Sequence, residues 1–325
     1  MHHLPYTCAM PTPPNTASTP ASTLALRRAF PYLLLVMTNL FWAGNWVTAR
    51  AVRESFHPFA LTFWRWFIAV LVMAPFVLPG MLRNWPVIRV VLVRRWPLLT
   101  ALSFLGVMLF QCFVYLGLQH TTAINGVLLN STMPISMILV AWAIDRETVS
   151  ARQVVGVLVS LVGIVEIVTR GELSRWASIE FNVGDAWILA AMPVWAVYSV
   201  LLRRRPPELP GMQLVFVVAV MALPLMGAAY AIEAQVLPVA TPSWPAVAGV
   251  LYVALFASVA AFACWNAAVA MVGPNVAGFS IHLLPAFGAV LAMLFLGERP
   301  EWFHLWGVIA ILIGVGLATL NARRA

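Results

Sequence analysis

Residues 134–163 read PISMILVAWAIDRETVSARQVVGVLVSLVG, and residues 285–314 read PAFGAVLAMLFLGERPEWFHLWGVIAILIG. Each stretch consists of two apolar runs joined by a short charged link. Four residues of the first stretch are matched in the second at one constant offset of 151 positions. The matched pairs are Pro134 and Pro285, Glu147 and Glu298, Gly156 and Gly307, and Gly163 and Gly314. Four matches in a single register indicate an internal repeat.

The composition of the whole chain excludes an ordinary soluble domain. Of 325 residues, 62% are hydrophobic and 9% are charged, and the mean hydropathy is +0.91. Soluble domains have about 25% charged residues. We therefore expect an all-α polytopic membrane protein. All 19 basic residues are arginines, and most lie in short clusters between apolar runs, so we expect no nucleic-acid partner.

The apolar runs outside the two quoted stretches complete a set of ten, and about 20 residues are needed to cross a bilayer. The predicted spans are 30–52, 58–79, 97–118, 122–144, 150–169, 184–202, 210–232, 244–271, 275–296 and 302–320. They divide into five-helix repeats over 30–169 and 184–320, joined by a loop at 170–183. Residues 1–29 are expected to be a disordered cytoplasmic tail and not a signal peptide, and 321–325 a cytoplasmic C-terminus.

The odd number of spans in each repeat sets the relation between the halves. A five-span unit repeated in tandem crosses the membrane in the opposite direction the second time, so the sequence predicts inverted repeats. Such symmetry suits a carrier that opens a central site to either side. The alternative is a duplication kept only for packing. With the N-terminus in the cytoplasm, 13 arginines lie on that side and 5 on the other, which favours two cytoplasmic termini.

Polar and aromatic residues within the predicted spans are the candidate contacts for a cargo, because hydrocarbon penalises polar groups that face neither protein nor water. They concentrate in spans 1, 3, 4, 6, 8 and 9, which predicts a central cavity lined by six spans inside an outer ring of four. The candidate residues are Trp42, Asn45, Gln111, Tyr115, Asn130, Trp195, Tyr198, Trp265, Asn266 and His282. The alternative for each polar residue is that it joins neighbouring helices.

The residues of the repeated motif have structural roles in this interpretation. Each glycine pair is seven residues apart, which is two helical turns, so Gly156 and Gly163, like Gly307 and Gly314, form a close-packing face. Pro134 and Pro285 are expected to kink spans 4 and 9, either beside a cavity or as ordinary membrane-helix prolines. Glu147 and Glu298 are expected to cap the helix that follows each of them.

The scarcity of charge inside the spans limits the cargo. Arg65 and Glu166 are the only clearly intramembrane ions, whereas a phosphate or nucleotide-sugar site would offer several cations. Amide, phenol, indole and imidazole groups suit a small neutral or zwitterionic metabolite. Three cysteines, Cys8, Cys112 and Cys264, form no ligand pattern, so we expect no metal and no cofactor.

The doubled Pro…Glu…Gly…Gly motif resembles the signature of the EamA family of the drug/metabolite transporter superfamily, over residues 30–320. More narrowly, Trp195-Ala196-Val197-Tyr198, Trp265-Asn266 and Asn130 upstream of Pro134 resemble YddG-type amino-acid exporters. The resemblance implies ten helices, halves that rock between two states, and amino-acid export across a bacterial inner membrane. It also makes Trp195 the first candidate for a substrate contact. His282 stands where those exporters have an aromatic residue, which argues against specificity for aromatic amino acids.

Other functions fit the sequence less well. A polytopic membrane enzyme would need a catalytic constellation, and the chain has neither a His-Glu-x-x-His motif nor clustered carboxylates. A lipid flippase, or an efflux carrier for other metabolites or drugs with the same fold, stays open as an alternative. Proton coupling would require a titratable group at the site, where His282 and then Glu166 are the candidates. We expect facilitated diffusion instead.

Overall fold

A computed structural model describes residues 21–146, 150–169, 171, 182–238, 242–281 and 283–319. Within these ranges the chain is helical and has no strand. The helices of the first half are α1 (Ala21–Ala51), α2 (Pro58–Arg83), α3 (Trp85–Arg94), α4 (Trp96–His120), α5 (Ala123–Asn130), α6 (Met133–Asp145) and α7 (Ala151–Val168). Those of the second half are α8 (Val183–Leu202), α9 (Met212–Val236), α10 (Trp244–Tyr252, Val253–Ala260 and Ala261–Ser280), α11 (Leu283–Leu296) and α12 (Trp302–Thr319).

Among the described residues, five helices are long and apolar enough to cross a membrane, and the bent pair α5–α6 makes a sixth candidate. The five are Pro58–Arg83, Trp96–His120, Val183–Leu202, Met212–Val236 and Trp244–Val269. The other predicted spans correspond to α1, α7, α11 and α12. The last three contribute apolar stretches of only 10 to 17 residues. The all-helical membrane fold is thus observed, whereas the number ten stays a prediction.

Two helix breaks lie in the predicted spans 4 and 9. Between α5 and α6 the chain bends by 44°, and Pro134 lies in the first turn of α6. A proline is tolerated there because the first backbone N–H groups of a helix have no intrahelical partner. In the second half α10 ends at Ser280 and α11 begins at Leu283, two residues before Pro285. The sequence predicts the boundary between spans 8 and 9 at 272–274, but α10 continues through those residues, since a membrane helix can include Gly and Pro.

Two helix pairs make extensive contacts with each other. α7 packs mainly on α12, and α2 packs on α9, while α1 contacts both α10 and α11, and α4 and α6 both contact α8. Gly163, Gly307 and Gly314 lie in the α7–α12 contact. A Cβ atom on Gly163 or on Gly314 would collide with the backbone oxygen of Gly307 or of Gly156, respectively. Small residues therefore allow these two helices to approach closely.

Each half also contains a widened π-helical segment, in which hydrogen bonds connect residues five apart. These segments are Ser103–Leu109 within α4 and Val253–Ala260 within α10. They start 150 residues apart and precede the polar residues that the sequence singles out in spans 3 and 8. Segments of this kind are frequent at functional sites. In this chain the second segment contacts Arg65 of α2 through Ser258 and the carbonyl of Ala257.

Candidate functional site

Arg65 is the centre of a buried polar network that joins four helices. It is the eighth residue of α2, about 10 Å from the start of that helix at about 1.5 Å per residue, and only 2% of its surface is exposed. Its Nη1 lies 2.8 Å from Gln111 Oε1, 2.8 Å from Tyr115 Oη and 3.1 Å from Asn45 Oδ1. Its Nε donates to Ser258 Oγ over 2.6 Å. α1 and α4 thus meet α10 at one guanidinium group.

The π-helical segment of α10 supplies two of the acceptors around Arg65. The Ser258 hydroxyl donates to the carbonyl of Val253, five residues earlier, and accepts from Arg65 Nε. The carbonyl oxygen of Ala257 lies 3.5 Å from Arg65 Nη2. A widened turn leaves some carbonyl groups without their usual helical partner, so they are available to an incoming donor. The local backbone of α10 is therefore part of the network.

Neutral groups surround this charge. Among the described residues, every acceptor bonded to Arg65 is an amide, a hydroxyl or a backbone carbonyl, and no Asp or Glu forms an ion pair with it. An arginine side chain stays protonated in proteins. Within the described part of the chain, the groups that bond to this buried charge are therefore dipoles and not counter-ions.

Two groups of aromatic rings lie beside the network. In the first, the ring of Trp42 lies 5.4 Å from Trp265 and 5.8 Å from Phe262, whose ring is 6.3 Å from Trp66. The Trp66 ring in turn lies 5.3 Å from the guanidinium carbon of Arg65, within cation–π range. These rings connect α1, α2 and α10.

The second aromatic group joins α4 to α8. The ring of Trp195 lies 4.7 Å from Phe110 and 4.9 Å from Tyr198. Phe110 precedes Gln111, so this group adjoins the polar network along α4. Gly106 makes room for Tyr198, because a Cβ atom at Gly106 would collide with the Tyr198 ring. Flat apolar surfaces therefore flank the Arg65 network on two sides.

The predicted contact residues fall into these groups with three exceptions. Asn45, Gln111 and Tyr115 surround Arg65, Trp42 faces Trp265, and Trp195 faces Tyr198. Asn266 lies apart, where its amide nitrogen is 3.8 Å from Met212 Sδ at the start of α9. Asn130 is buried at the end of α5. His282 lies outside the described residues. Contact of any of these residues with a substrate stays a prediction.

Sequence reasoning missed Arg65 as a site residue. The lone charge within the apolar run of span 2 was the available signal, because an ion at membrane depth is rarely without function. What the sequence could not provide was the set of partners, since Ser258 lies 193 residues away along the chain. Glu166, the other intramembrane ion, lies on α7 and is not part of the network.

A second polar cluster joins the halves at the end of the bundle where α4 ends and α5 begins, which we call the α4–α5 end. Both carboxylate oxygens of Glu298 accept from the first N–H groups of α5, at Ala123 and Ile124, each over 2.9 Å. The expectation that Glu298 caps the following helix is therefore wrong. The Glu298 carboxylate does cap a helix N-terminus, but the capped helix is α5 of the other half, which lies beside Glu298 in the folded structure. Glu147 lies outside the described residues.

His304 strengthens the same end. Its Nδ1 accepts from the Glu301 N–H over 2.7 Å, so Nε2 carries the proton and donates to Asn125 Oδ1 over 2.8 Å. Thr121 donates to Asp185 at the start of α8. These bonds link α11 and α12 to α5, and α4 to α8. Polar contacts thus join the two halves at the α4–α5 end.

Two cavities open where α2 begins and α9 ends. One of about 400 Å³ extends towards α10, and the other, of about 690 Å³, extends towards α4. Both are lined by His57 and Glu233, and Glu233 also accepts from the backbone N–H groups of Phe59 and Ala60 at the start of α2. Neither cavity is lined by one of the predicted contact residues.

Comparisons with known proteins agree on the kind of protein. An uncharacterized transporter of Archaeoglobus fulgidus is 28% identical over 301 residues, which cover 90% of this chain and 98% of the relative. A probable terminal-alkyne amino-acid exporter of Streptantibioticus cattleyicolor is 26% identical, covering 89% of this chain and 94% of the relative. The uncharacterized transporter YyaM of Bacillus subtilis is 22% identical, covering 87% and 92%.

One solved crystal structure shares the fold, with a TM-score of 0.58 and 21% identity over 90% of this chain and 98% of its own. The EamA-like transporter family matches residues 29–169 and, a second time, residues 182–320. These two matches cover most of the chain, and the relatives are named as transporters and not as enzymes. The chain is therefore a membrane transporter that belongs to the EamA-like transporter family.

Proposed function

We propose that this transporter carries amino acids, or similar small neutral or zwitterionic metabolites, across a bacterial inner membrane by alternating access. The observation that carries the proposal is the grouping of amide, phenol and indole side chains around one buried guanidinium group. Such a site offers hydrogen bonds and flat apolar walls but a single charge. The printed name of the Streptantibioticus relative, a probable amino-acid exporter, agrees with this cargo class.

The proposed architecture is ten transmembrane helices in two inverted five-helix repeats, over residues 30–169 and 184–320. The 18 residues of α7 and of α12 rise about 27 Å, close to the roughly 30 Å hydrocarbon thickness of a bilayer. The two π-helical segments and the two helix breaks recur at nearly the same offset as the sequence motif, which supports a common fold of the halves. Both termini lie in the cytoplasm in this proposal.

Alternating access would follow from rocking of one half against the other around the Arg65 network. The bonds at the α4–α5 end hold the halves together on one face of the membrane, as expected of a gate that must break when the site opens there. The described network around Arg65 contains no carboxylate that could exchange a proton with the cargo. We therefore propose facilitated diffusion down a gradient.

Uptake into liposomes that contain the purified protein tests this proposal. A panel of radiolabelled amino acids is offered with and without an imposed pH gradient, and protein-free liposomes are the control. We expect saturable uptake of at least one amino acid at a rate independent of the pH gradient. Uptake of none would refute the amino-acid cargo. Uptake that requires the gradient and is abolished by His282→Ala would refute facilitated diffusion.

A further inference from the structure

We propose that Arg65 binds the carboxylate of the cargo, so that the transported class is small molecules with one carboxylate group. This inference rests on the proposed function, and it makes the carboxylate, rather than the neutral or zwitterionic character of the whole molecule, the feature that defines the cargo. Under it, compounds that match an amino acid in size but lack the carboxylate are poor substrates.

The buried charge of Arg65 favours an anionic ligand. Arg65 is 2% exposed, and only neutral groups among the described residues compensate it. Keeping an ion at membrane depth is costly, and arginine cannot lower the cost by losing its proton. A residue needed only to link helices could be neutral, as Gln or Asn. An anionic ligand that arrives with the opposite charge gives the positive charge a function.

The N–H donors of Arg65 also suit a carboxylate in their geometry. A guanidinium group has five N–H donors in one plane, and a carboxylate can accept from two of them at once. Nε is used by Ser258, and the two hydrogens of Nη1 face three acceptors. Nη2 has one long contact of 3.5 Å with the carbonyl of Ala257. The Nη1–Nη2 edge therefore has spare donor capacity at Nη2 and a surplus of acceptors at Nη1.

A carboxylate can replace one of those acceptors without leaving a donor unsatisfied. Tyr115 is the acceptor best able to move aside, because its hydroxyl also donates to Asn45 Oδ1 over 2.8 Å. The Tyr115 hydroxyl would keep that bond while one carboxylate oxygen took its place on Nη1 and the other bound Nη2. Nε would stay on Ser258, which fixes the plane of the guanidinium group during the exchange.

Aromatic rings lie beside Arg65, where the rest of a bound cargo would extend. Trp66 lies against Arg65, and through Phe262 it leads to the facing pair Trp42 and Trp265. A cargo held at Arg65 by its carboxylate would therefore direct its remaining atoms to flat apolar surfaces. A charged head group beside an apolar wall is the arrangement that a small amino acid or related acid requires.

The test compares matched ligands by thermal stabilisation of the purified protein. Alanine, leucine and phenylalanine are each paired with their amino alcohol, which lacks the carboxylate, and with their 2-hydroxy acid, which keeps it. We expect at least one acid to stabilise the wild-type protein at a concentration about 10-fold or more below that of its amino alcohol, as expected for loss of hydrogen bonds to a charged group. Equal effects of acid and alcohol, or stabilisation by none, would overturn the inference.

Three variants test whether Arg65 causes the preference for the acid over its amino alcohol. Arg65→Gln removes the charge, Arg65→Lys keeps the charge without the planar fork, and Arg89→Gln is the control because Arg89 is exposed on α3. We expect the ratio of the stabilising concentration of the alcohol to that of the acid to fall towards one in Arg65→Gln, to fall partly in Arg65→Lys and to be unchanged in Arg89→Gln. If the role of Arg65 were purely structural, its replacement would weaken the binding of both ligands equally and leave the ratio unchanged. That result would contradict the inference.

The outcomes also separate this inference from the proposed function. If liposomes take up an amino acid and its amino alcohol equally well, the amino-acid cargo stands and the role of Arg65 falls. If no amino acid is taken up but a 2-hydroxy acid stabilises the wild type and not Arg65→Gln, the carboxylate site stands and the proposed cargo falls. Should the Arg65 variants not fold, equal stabilisation of the wild-type protein by acid and alcohol still overturns the inference.

Discussion

At the scale of single residues, Tyr115 shows how the site is held together. Its ring is 1% exposed, and its hydroxyl both accepts from Arg65 and donates to Asn45. One oxygen atom thus connects α1, α2 and α4. Removing it leaves Arg65 Nη1 with Gln111 and Asn45 as acceptors, so no buried donor on that nitrogen loses its last partner.

We therefore predict that Tyr115→Phe destabilises the protein modestly, by about 1 kcal/mol, because two hydrogen bonds are lost but little is left unsatisfied. The measurement is the midpoint of thermal unfolding in detergent. Tyr32→Phe is the matched control, since Tyr32 is 55% exposed on α1. An equal midpoint for both variants would contradict the assigned role of the Tyr115 hydroxyl.

The residue scale also marks the limit of sequence reasoning. The amide and aromatic residues of six spans could be identified from the sequence, because a polar residue stands out within an apolar run. Their grouping could not, because Arg65 meets Gln111 across 46 residues and Ser258 across 193. Side-chain geometry determines which nitrogen of Arg65 has a hydrogen-bond donor to spare. The spacing of residues along the sequence does not contain that information.

At the scale of helices, the contact between α7 and α12 depends on glycine. A Cβ atom on Gly307 would lie 2.9 Å from the Gly163 carbonyl oxygen and 3.0 Å from Ile167 Cδ1, and Ile167 is fully buried. Backbone at this distance cannot yield without separating the helices. The seven-residue spacing predicted this close-packing face, since two turns of helix place both glycines on one side.

We predict that Gly307→Ala lowers the unfolding midpoint, with a cost of about 1–3 kcal/mol from overpacking. Gly80→Ala is the control within α2, where the nearest atom to an added Cβ is 3.6 Å away. That variant should be neutral or slightly stabilising, because alanine favours helix more than glycine does. Equal effects of the two substitutions would show that the α7–α12 contact tolerates added volume.

The Glu298 cap is a contact between helices of different halves. Its carboxylate satisfies two N–H groups at the N-terminus of α5, where negative charge is also favoured by the helix dipole. The sequence predicted that this carboxylate caps a helix, but it assigned the cap to the helix that follows Glu298, because only the order of residues along the chain was known. The actual partner, Ala123, is 175 residues away.

We predict that Glu298→Ala costs about 1–2 kcal/mol of stability, the range for loss of a helix cap. Glu301→Ala is the control, because Glu301 is exposed in the same loop. Thermal unfolding of both variants, measured side by side, checks the difference. A control as unstable as Glu298→Ala would mean that the loop, and not the cap, determines the effect.

At the scale of the whole molecule, the distribution of arginines predicts how the protein lies in the membrane. The family and the helical fold could be predicted from composition and the repeated motif, because both depend on patterns that recur along the chain. The number of spans is harder to establish, since the apolar stretches of α7, α11 and α12 have only 10 to 17 residues. Orientation depends on the arginines of the loops, and side chain packing does not report it.

The topology prediction is tested by cysteine labelling in a variant without native cysteines. Glu54→Cys lies between α1 and α2 on the predicted outer side, and Glu208→Cys lies between α8 and α9 on the cytoplasmic side; both positions are exposed. A maleimide that cannot cross membranes should label the first in intact cells, and the second only after the membrane is opened. The reverse pattern would contradict two cytoplasmic termini.

The central claim is that an amino acid binds at the middle of the protein and is exposed alternately to the two sides. Counterflow measures this most directly: liposomes loaded with an unlabelled amino acid are diluted into a trace of the same labelled compound. The account predicts a transient accumulation of label above its equilibrium level, because return of the carrier is coupled to bound cargo. Label that rises to equilibrium without an overshoot for every amino acid of the panel would contradict it.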